Sequence, residues 1–470
     1  MNPRLSLRVF NLSPESRRRA LILCGLLLLS FSVRALTAEF MRQRLGDAGW
    51  FQSGTYAIFD RQARRILDGT SSAFWIDDPS RTEAAVYPPG YPLWLALIYG
   101  ASGQRSAEAV QNVQWVLDAL SVLLLVAIGV AADGWRTGLI AGALGALSPL
   151  LALYGATPLA DAPTSWLVLG AVWMFLRAAK RESLSRALCA GAMIGASCWL
   201  RANALLLALG WALALLCLLR SAWPARLRLA GALVAGAALL VAPVMIRNAV
   251  AFRAFLPTGL GVGTNLWEGI GETERAAEFG AVYGDLKVIE QERAALGLAP
   301  DAPLGLYWPD GVRRDRLRAQ KALSVIVSHP AWYAGVMMRR MWGVLNYAGE
   351  PSSYYGYAGV NVTSAKCLPP ERRGGPLALL VNLLGMMQSV WRYLALPLMA
   401  WGVWLALRRD RFTALLILTT VLYYLLVGSM MHMEIRYGLP MQALLLVFAG
   451  LGLAHAGELV QRLRRGRRES

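Results

Sequence analysis

The sequence predicts an all-α polytopic membrane protein with about ten transmembrane helices. Of its 470 residues, 56% are hydrophobic and only 16% are charged, whereas soluble domains carry about 25% charged residues. The apolar residues form blocks of roughly 20, which is the length that crosses a bilayer as a helix. Basic residues cluster in the short segments between these blocks. Together these observations predict a multi-span membrane protein, with two sizeable loops and juxtamembrane helices on its external side.

The net charge of +18 is explained by the membrane topology. Cytoplasmic loops of membrane proteins are enriched in Lys and Arg, and the arginine clusters follow that pattern. We therefore expect membrane lipids as partners and no nucleic acid. The five cysteines and three histidines are scattered along the chain, which predicts neither a disulfide framework nor a metal site. No cofactor is implied, and the use of a divalent metal ion stays open.

The first apolar run follows a group of arginines, so we expect an uncleaved first span with its N-terminus in the cytoplasm, the alternative being a cleaved signal peptide. Further basic clusters fix the direction of the later spans. In chain order the predicted spans are Ala20–Val33, Val110–Ala132, Thr137–Leu153, Ala162–Ala178, the two arms of Leu184–Leu219, Leu229–Ile246, Leu394–Leu407, Phe412–Val427 and Leu439–Glu458.

Three apolar segments do not fit as simple crossings. Tyr91–Gly103 would reverse every later loop if it spanned, so we expect a juxtamembrane helix on the external face. Trp332–Tyr347 carries two arginines at its middle and is expected to lie along the interface. For Leu377–Val390 the sequence leaves two alternatives, an extension of the next span or a helix lying flat.

The hairpin Leu184–Leu219 breaks at Arg201, which its short first arm places below the outer surface.

This topology divides the chain into five regions. They are a cytoplasmic N-terminal tail (1–19), a transmembrane module (20–246) with a first external loop (38–107), a large external loop with interfacial helices (247–375), the C-terminal transmembrane helices (376–458) and a basic cytoplasmic tail (459–470). Most acidic residues fall in the two external loops. Any chemistry is therefore expected on the external side of the cytoplasmic (inner) membrane.

Asp47 is the first candidate catalytic residue. It follows the first span closely, so its carboxylate stays near the membrane surface, where it can accept a proton from a hydroxyl nucleophile. The same loop ends in Tyr87-Pro88-Pro89-Gly90, whose prolines fix the angle of the next helix. The alternative is that Asp47 only caps a helix over 48–59.

Several motifs in this order resemble one superfamily. They are Asp47 after the first span, the Tyr-Pro-Pro motif, Asp161 within Pro158–Pro163, Arg247-Asn248 followed by Gly263–Gly269, and Glu434–Pro440 before the last span. Over essentially the whole chain the sequence resembles the GT-C glycosyltransferases. Its nearest counterparts there look like bacterial relatives of protein O-mannosyltransferases and of the transferase that adds aminoarabinose to lipid A.

The resemblance implies a sugar donor on a polyprenyl phosphate and transfer outside the membrane to a lipid, glycan or protein acceptor. Asp47 matches the first-loop catalytic acid, the base that deprotonates the acceptor, and Asp161 matches the second external acid. Two departures bear on specificity. Several members have a second acid where this chain has Ala48, and the aminoarabinose branch has Lys where this chain has Tyr87. Sugar and acceptor are therefore not carried over.

A phosphate leaving group gains charge in the transition state, and arginine forks stabilise such charge. The candidates to contact the donor phosphate or its lipid are Arg201, Arg247, Arg436 and Tyr87, and the candidates to contact the remaining substrate are Asn265, Trp267, Glu268 and Glu434. An arginine at a helix end also commonly reaches the interface without a ligand. Glu434 has the alternative role of pairing with Arg436.

Three functional alternatives to this transferase remain open. A transporter or lipid flippase would carry charges in its spans and an internal repeat; we find no repeat and few such charges. One of them, Asp118, is either a functional intramembrane acid or a structural hydrogen-bonding group, which the sequence favours. A non-catalytic scaffold predicts no effect of removing Asp47. A polysaccharide ligase or polymerase would also use a lipid-linked donor.

Overall fold

The computed structural model describes residues 13–45, 54–70, 86–345, 351–352, 357–358, 370–432 and 434–456. Within these ranges the regular secondary structure is helical apart from two antiparallel two-residue strands, β1 (Pro351–Ser352) and β2 (Tyr357–Ala358). The α-helices are α1 Pro14–Leu45, α2 Gly54–Leu67, α3 Gly90–Ser102, α4 Ala107–Ala132, α5 Trp135–Leu147, α6 Pro149–Gly155, α7 Asp161–Arg181, α8 Leu184–Leu200, α9 Leu207–Leu218, α10 Trp223–Phe252, α11 Val262–Gly271, α12 Asp285–Ala295, α13 Gly311–Ser328, α14 Pro330–Leu345, α15 Pro376–Arg409, α16 Arg411–Ser429 and α17 Leu439–Ala454.

The prediction of a helical multi-span membrane protein is confirmed. Among the described residues, six helices are long and apolar enough to cross a membrane, and the bent pair α5–α6 makes up to seven. Three apolar segments of 10–17 residues add to these: Leu184–Leu200, Ala202–Leu218 and Pro376–Met387. Every segment predicted to span coincides with one of these helices or with the second half of α15. The bend of 61° between α5 and α6 lies at Ser148. The Ser148 side chain caps α6, which begins at Pro149.

The segments with ambiguous patterns are also helical. The predicted hairpin breaks at Arg201, between α8 and a short 3-10 turn over Ala202–Ala204. Tyr91–Gly103 and Trp332–Tyr347 correspond to the separate helices α3 and α14. Leu377–Val390 is continuous with the following span, because α15 runs unbroken from Pro376 to Arg409. The sequence had left both arrangements of this segment open.

Small residues set the closest approach between helices, as is common in membranes. A Cβ atom on Gly191 would lie 1.9 Å from the carbonyl oxygen of Leu233, and one on Gly236 would lie 2.1 Å from that of Leu188. Helices α8 and α10 therefore pack backbone against backbone. This contact fixes the position of α8, which ends just before Arg201.

Asp118 forms a buried ion pair inside the bundle. Its Oδ2 accepts a hydrogen bond from Arg34 Nε at 3.0 Å, and its Oδ1 accepts one from Trp166 Nε1 at 2.8 Å. Arg34 also donates to the carbonyl oxygens of Gly145 and Ala146. These contacts join α1, α4, α5 and α7, so the structural alternative for Asp118 is the one observed.

Helices α11 to α14 form a separate layer, which we call the loop module (residues 262–345). Asp315 on α13 accepts hydrogen bonds from the backbone N–H groups of Gly261, Gly263 and Thr264, at 3.0–3.2 Å. These groups begin α11 and lack partners within the helix. An apolar cluster that includes Leu266, Ile270 and Val336 fills the centre of the module. The module holds α11, the helix that carries Glu268, against the bundle.

Candidate active site

The Tyr-Pro-Pro-Gly motif packs directly against the end of α8. A Cβ atom on Gly90 would lie 2.5 Å from the carbonyl oxygen of Trp199, so only glycine allows this approach without displacement. Pro88 and Pro89 are buried, and the Tyr87 ring packs on Phe59 with centroids 4.8 Å apart. The contact places Tyr87 close to the residue that follows α8, Arg201.

Asp161 and Arg201 form the first ion pair of the site. Asp161 is the first residue of α7 and is buried, and Arg201 Nη1 lies 2.8 Å from its Oδ1. A carboxylate at a helix N-terminus is further stabilised by the helix dipole. The Arg201 side chain keeps 25% of its exposure, against 1% for Asp161. The carboxylate therefore orients the guanidinium from behind and leaves part of it accessible.

Glu434 and Arg436 form a second ion pair, beside the first. Arg436 Nη2 donates to Glu434 Oε1 at 2.7 Å. Both guanidinium groups lie near the ring of Tyr437, Arg201 at 4.5 Å and Arg436 at 5.5 Å from its centroid. The alternative role of Glu434 as a partner of Arg436 is thus observed. Tyr437 brings two cations together that are separated by 235 positions in the sequence.

His432 continues this series of charged groups. Its Nδ1 hydrogen-bonds with Glu272, and its Nε2 lies 3.6 Å from Glu434. Burial alone would lower the pKa of His432, but the hydrogen bonds with Glu272 and Glu434 raise it to about 10. Burial would raise the pKa of Glu434, but Arg436 and His432 lower it to about 2. Both groups are therefore charged at neutral pH.

The loop module is docked onto this segment through its backbone. The N–H of His432 donates to the carbonyl oxygen of Asn265 at 2.8 Å. A Cβ atom on Gly269 would lie 2.8 Å from His432 N, so α11 passes very close to the segment before α17. Arg340 on α14 adds a bond to the carbonyl oxygen of Ser429. These contacts position Glu268 near the ion pairs.

Glu268 brings a carboxyl group that titrates near neutral pH. It is 6% exposed, and burial together with the nearby carboxylate of Asp285 raises its pKa to about 7. Asp285, on the first turn of α12, hydrogen-bonds with Glu268 and also influences Tyr87 and Tyr307 electrostatically. Tyr87 is influenced by Arg201 and Arg436 as well. The tyrosine is therefore near both arginines and Asp285.

Two further predicted site residues, Arg247 and Trp267, each donate a hydrogen bond to a neighbouring side chain. Arg247 donates to Asn248 Oδ1 at 2.7 Å, and Asn248 in turn donates to the carbonyl oxygens of Leu256 and Thr258. Trp267 is buried in the loop module, where its Nε1 donates to Gln291. Asp47 lies outside the described residues. Within the described ranges, no group of three or more His, Cys, Asp or Glu side chains is arranged to hold a metal ion.

Sequence reasoning missed four residues of the centre: Tyr437, His432, Asp285 and Tyr307. Tyr437 lies within the recognised Glu434–Pro440 motif, so its aromatic ring next to two charged residues was an available indication. His432, two residues before Glu434, was considered only as a metal ligand. Asp285 and Tyr307 have no local pattern that marks them, and only the packing of the loop module brings them to Tyr87.

A family match covers the part of the chain that carries the first half of this site. Residues 86–246 match the family described as dolichyl-phosphate-mannose-protein mannosyltransferase. This segment is about a third of the chain and includes Tyr87, Asp161 and Arg201. Among curated proteins, no match to this sequence was found.

Two solved structures of an archaeal oligosaccharyltransferase share the fold. The oligosaccharyltransferase of Archaeoglobus fulgidus in its apo form aligns with 94% of this chain and 51% of its own, at 14% identity and a TM-score of 0.50. Its complex with Zn and sulfate aligns with 93% and 49%, at 12% identity and a TM-score of 0.51. ArnT from Cupriavidus metallidurans, bound to undecaprenyl phosphate, gives 13% identity, coverage of 93% and 60%, and a TM-score of 0.40.

The chain thus spans about half the length of the oligosaccharyltransferase chains it matches. The likeness to these enzymes concerns the arrangement of helices, and the family match adds a relation in sequence over residues 86–246. The fold and this partial match confirm the resemblance to the GT-C glycosyltransferases.

Proposed function

We propose that the protein transfers a sugar from a polyprenyl-phosphate carrier to a lipid, glycan or protein acceptor on the extracytoplasmic side of the cytoplasmic (inner) membrane. The observation that carries this proposal is the pair Arg201 and Arg436, which share Tyr437 and are each oriented by a carboxylate. Tyr87 and Arg201 also fall within the segment matched by a family whose name specifies a dolichyl-phosphate-linked mannose donor.

The arginines suit the leaving group of this reaction. When the acceptor oxygen attacks the anomeric carbon of the sugar, the bond from that carbon to the phosphate oxygen breaks, and the carrier phosphate gains negative charge. Arg201 keeps N–H groups beyond the one that binds Asp161. Preorganised donors of this kind stabilise developing charge without reorganisation during the reaction.

Asp47 is the proposed base. It would accept the proton that the acceptor hydroxyl loses as the new glycosidic bond forms, and Asp161 would act by orienting Arg201. Glu268 and Glu434 are proposed to contact the substrate. Asn265 and Trp267 would support binding by holding α11, through the bond from His432 and through the core of the loop module.

The test uses the full-length protein in nanodiscs with a panel of radiolabelled polyprenyl-phosphate sugars. Loss of sugar from its carrier is measured in the presence of a membrane extract that supplies acceptors. We expect the wild type to consume one donor and the Asp47→Asn variant to consume none, with both inserted and folded. Wild-type turnover by Asp47→Asn would refute the base assignment.

A second readout separates this proposal from its main alternative. If the folded wild type consumes no donor, the protein is reconstituted into vesicles made of the same lipids as the nanodiscs. The transbilayer movement of a fluorescent lipid is then measured. Transport that depends on the protein, without any loss of sugar, would favour a flippase. The absence of both activities would favour a scaffold.

A further inference from the structure

A cavity of about 860 Å³ opens at the end of the bundle opposite the candidate active site. It lies where α7 ends, where α9 joins α10 and where α15 joins α16. Helix α7 connects the two places, because it begins at Asp161 and ends at Arg181. Its 21 residues rise about 31 Å at 1.5 Å per residue. The cavity therefore lies near the opposite surface of the membrane.

Basic side chains dominate the polar lining of this cavity. Five cations and two carboxylates line it: Lys180, Arg220, Arg226, Arg409, Arg411, Glu182 and Asp410. Both carboxylates are already engaged. Asp410 lies 3.3 Å from Lys180 and accepts hydrogen bonds from Thr413 at the start of α16, and Glu182 accepts one from Ser221.

Two of the cations remain available for a ligand. Arg226 donates to the carbonyl oxygens of Ser221 and Leu216, and Arg409 lies 3.5 Å from Asp133. Arg220 and Arg411 are exposed, and within the described part of the chain they take part in no ion pair or hydrogen bond from their side chains. Each presents a free guanidinium fork, a geometry that matches phosphate oxygens.

Apart from Ser221, the remaining lining is apolar. Leu218 and Leu219 at the end of α9 face the cavity together with Phe412 and Leu415 on α16. A soluble anion would leave this wall in contact with water, whereas a phospholipid presents a phosphate and acyl chains together. Basic pockets between transmembrane helices bind anionic lipid headgroups in other membrane proteins.

We propose that this cavity binds an anionic phospholipid, with Arg220 and Arg411 donating to its phosphate and the apolar wall receiving the start of its acyl chains. The phospholipid and a soluble phosphate have only the phosphate group in common as a ligand. This lipid site is independent of glycosyl transfer, since it shares no residue with the candidate active site.

Native mass spectrometry of the full-length protein tests the proposal. Dioleoyl phosphatidylglycerol and dioleoyl phosphatidylcholine are titrated onto delipidated protein in detergent. We expect the wild type to retain the anionic lipid in preference. The double variant Arg220→Gln, Arg411→Gln should lose about tenfold or more of its affinity, because basic residues near an anionic lipid surface strengthen binding. The control variant Arg186→Gln, Arg228→Gln removes the same charge outside the cavity and should bind as the wild type does.

Three results would overturn the lipid site: equal retention of both lipids by the wild type, an equal loss in the control variant, or displacement of bound lipid by excess inorganic phosphate. Displacement by phosphate would assign the cavity to a soluble anion. If the glutamine variant fails to fold, Arg220→Lys, Arg411→Lys takes its place. That variant keeps the charges but loses the bidentate forks, so we expect intermediate affinity, and wild-type affinity would contradict the proposed contacts.

Discussion

At the scale of single residues, the site is a set of charges that stabilise one another. Asp161 is buried and would be costly to leave unpaired, because removing one partner of a buried ion pair costs about 3–5 kcal/mol. Arg201 thus has a structural role with Asp161 and a proposed role toward phosphate. An experiment on Arg201 must distinguish these roles.

We predict that Arg201→Gln lowers both the thermal midpoint and sugar transfer. Adding Asp161→Asn removes the unpaired buried carboxylate and should recover most of the midpoint, while transfer stays at least about 100-fold below wild type, the range found for the loss of one preorganised donor. Thermal unfolding and donor consumption are measured on the same samples. Recovery of transfer together with stability would show that Arg201 is only structural.

The raised pKa of Glu268 leads us to predict that the stability of the protein depends on pH. Its pKa in the folded protein is about 7, above the ordinary value of 4.5. Between these values the folded state binds more protons than the unfolded state, so stability falls as pH rises, by up to about 3 kcal/mol from this group. The contribution of His432 to stability also falls as pH rises, between its ordinary pKa of 6.5 and its folded pKa of about 10. This change is the same whether or not Glu268 is substituted.

We therefore expect Glu268→Gln to raise the thermal midpoint at pH 8 and to have little effect near pH 5. The measurement is thermal unfolding in detergent across this range. Glu290→Gln on the exposed side of α12 is the control and should shift the midpoint at neither pH. A gain for Glu268→Gln that is the same at both pH values would mean that the carboxyl does not titrate there.

At the scale of secondary structure elements, the site depends on close contacts that helices make at glycine residues. Helix α3 meets α8 at Gly90, and α11 meets the segment before α17 at Gly269. Each contact brings a charged or phenolic side chain to the centre from a different part of the chain. The elements are thus positioned by glycines adjacent to the functional residues, and not only by the functional residues themselves.

We predict that Gly90→Ala moves α3 away from α8 and reduces transfer. The added methyl group would meet the carbonyl oxygen of Trp199 at 2.5 Å, and such overpacking costs about 1–3 kcal/mol. Gly100→Ala on the same helix is the control, because its Cβ would make only an ordinary contact of 3.7 Å with Leu67. Thermal midpoint and donor consumption are compared, and equal values for the two variants would contradict the role of Gly90.

At the scale of the whole molecule, the two ends of the bundle differ in chemistry. One end holds the loop module and the ion pairs around Tyr437, and the other holds the basic cavity at the end of α7. From the positive-inside rule we expect the cavity end to face the cytoplasm. The candidate active site would then face outward, where lipid-linked donors are used in the proposed reaction.

This orientation predicts the labelling of introduced cysteines. In a variant without native cysteines, Glu290→Cys on α12 should react with a membrane-impermeant maleimide in intact cells. Ser185→Cys, near the cavity end of α8, should react only after permeabilisation. Both positions are exposed, so accessibility differs only by side. The reverse pattern would overturn the orientation and the assignment of the site to the extracytoplasmic face.

The sequence by itself determined the helical membrane architecture, because a block of about 20 apolar residues has few other stable states in a bilayer. It also located the break at Arg201 and indicated Asp161, Arg436 and Glu434 as candidate site residues, since charges beside apolar blocks stand out locally. Tertiary structure alone decided which of these charges meet. Arg201 and Arg436 converge on Tyr437, and Asp285 reaches Glu268, through contacts between segments distant in sequence. No local pattern encodes such pairings, because only the packing of the helices brings these distant segments together.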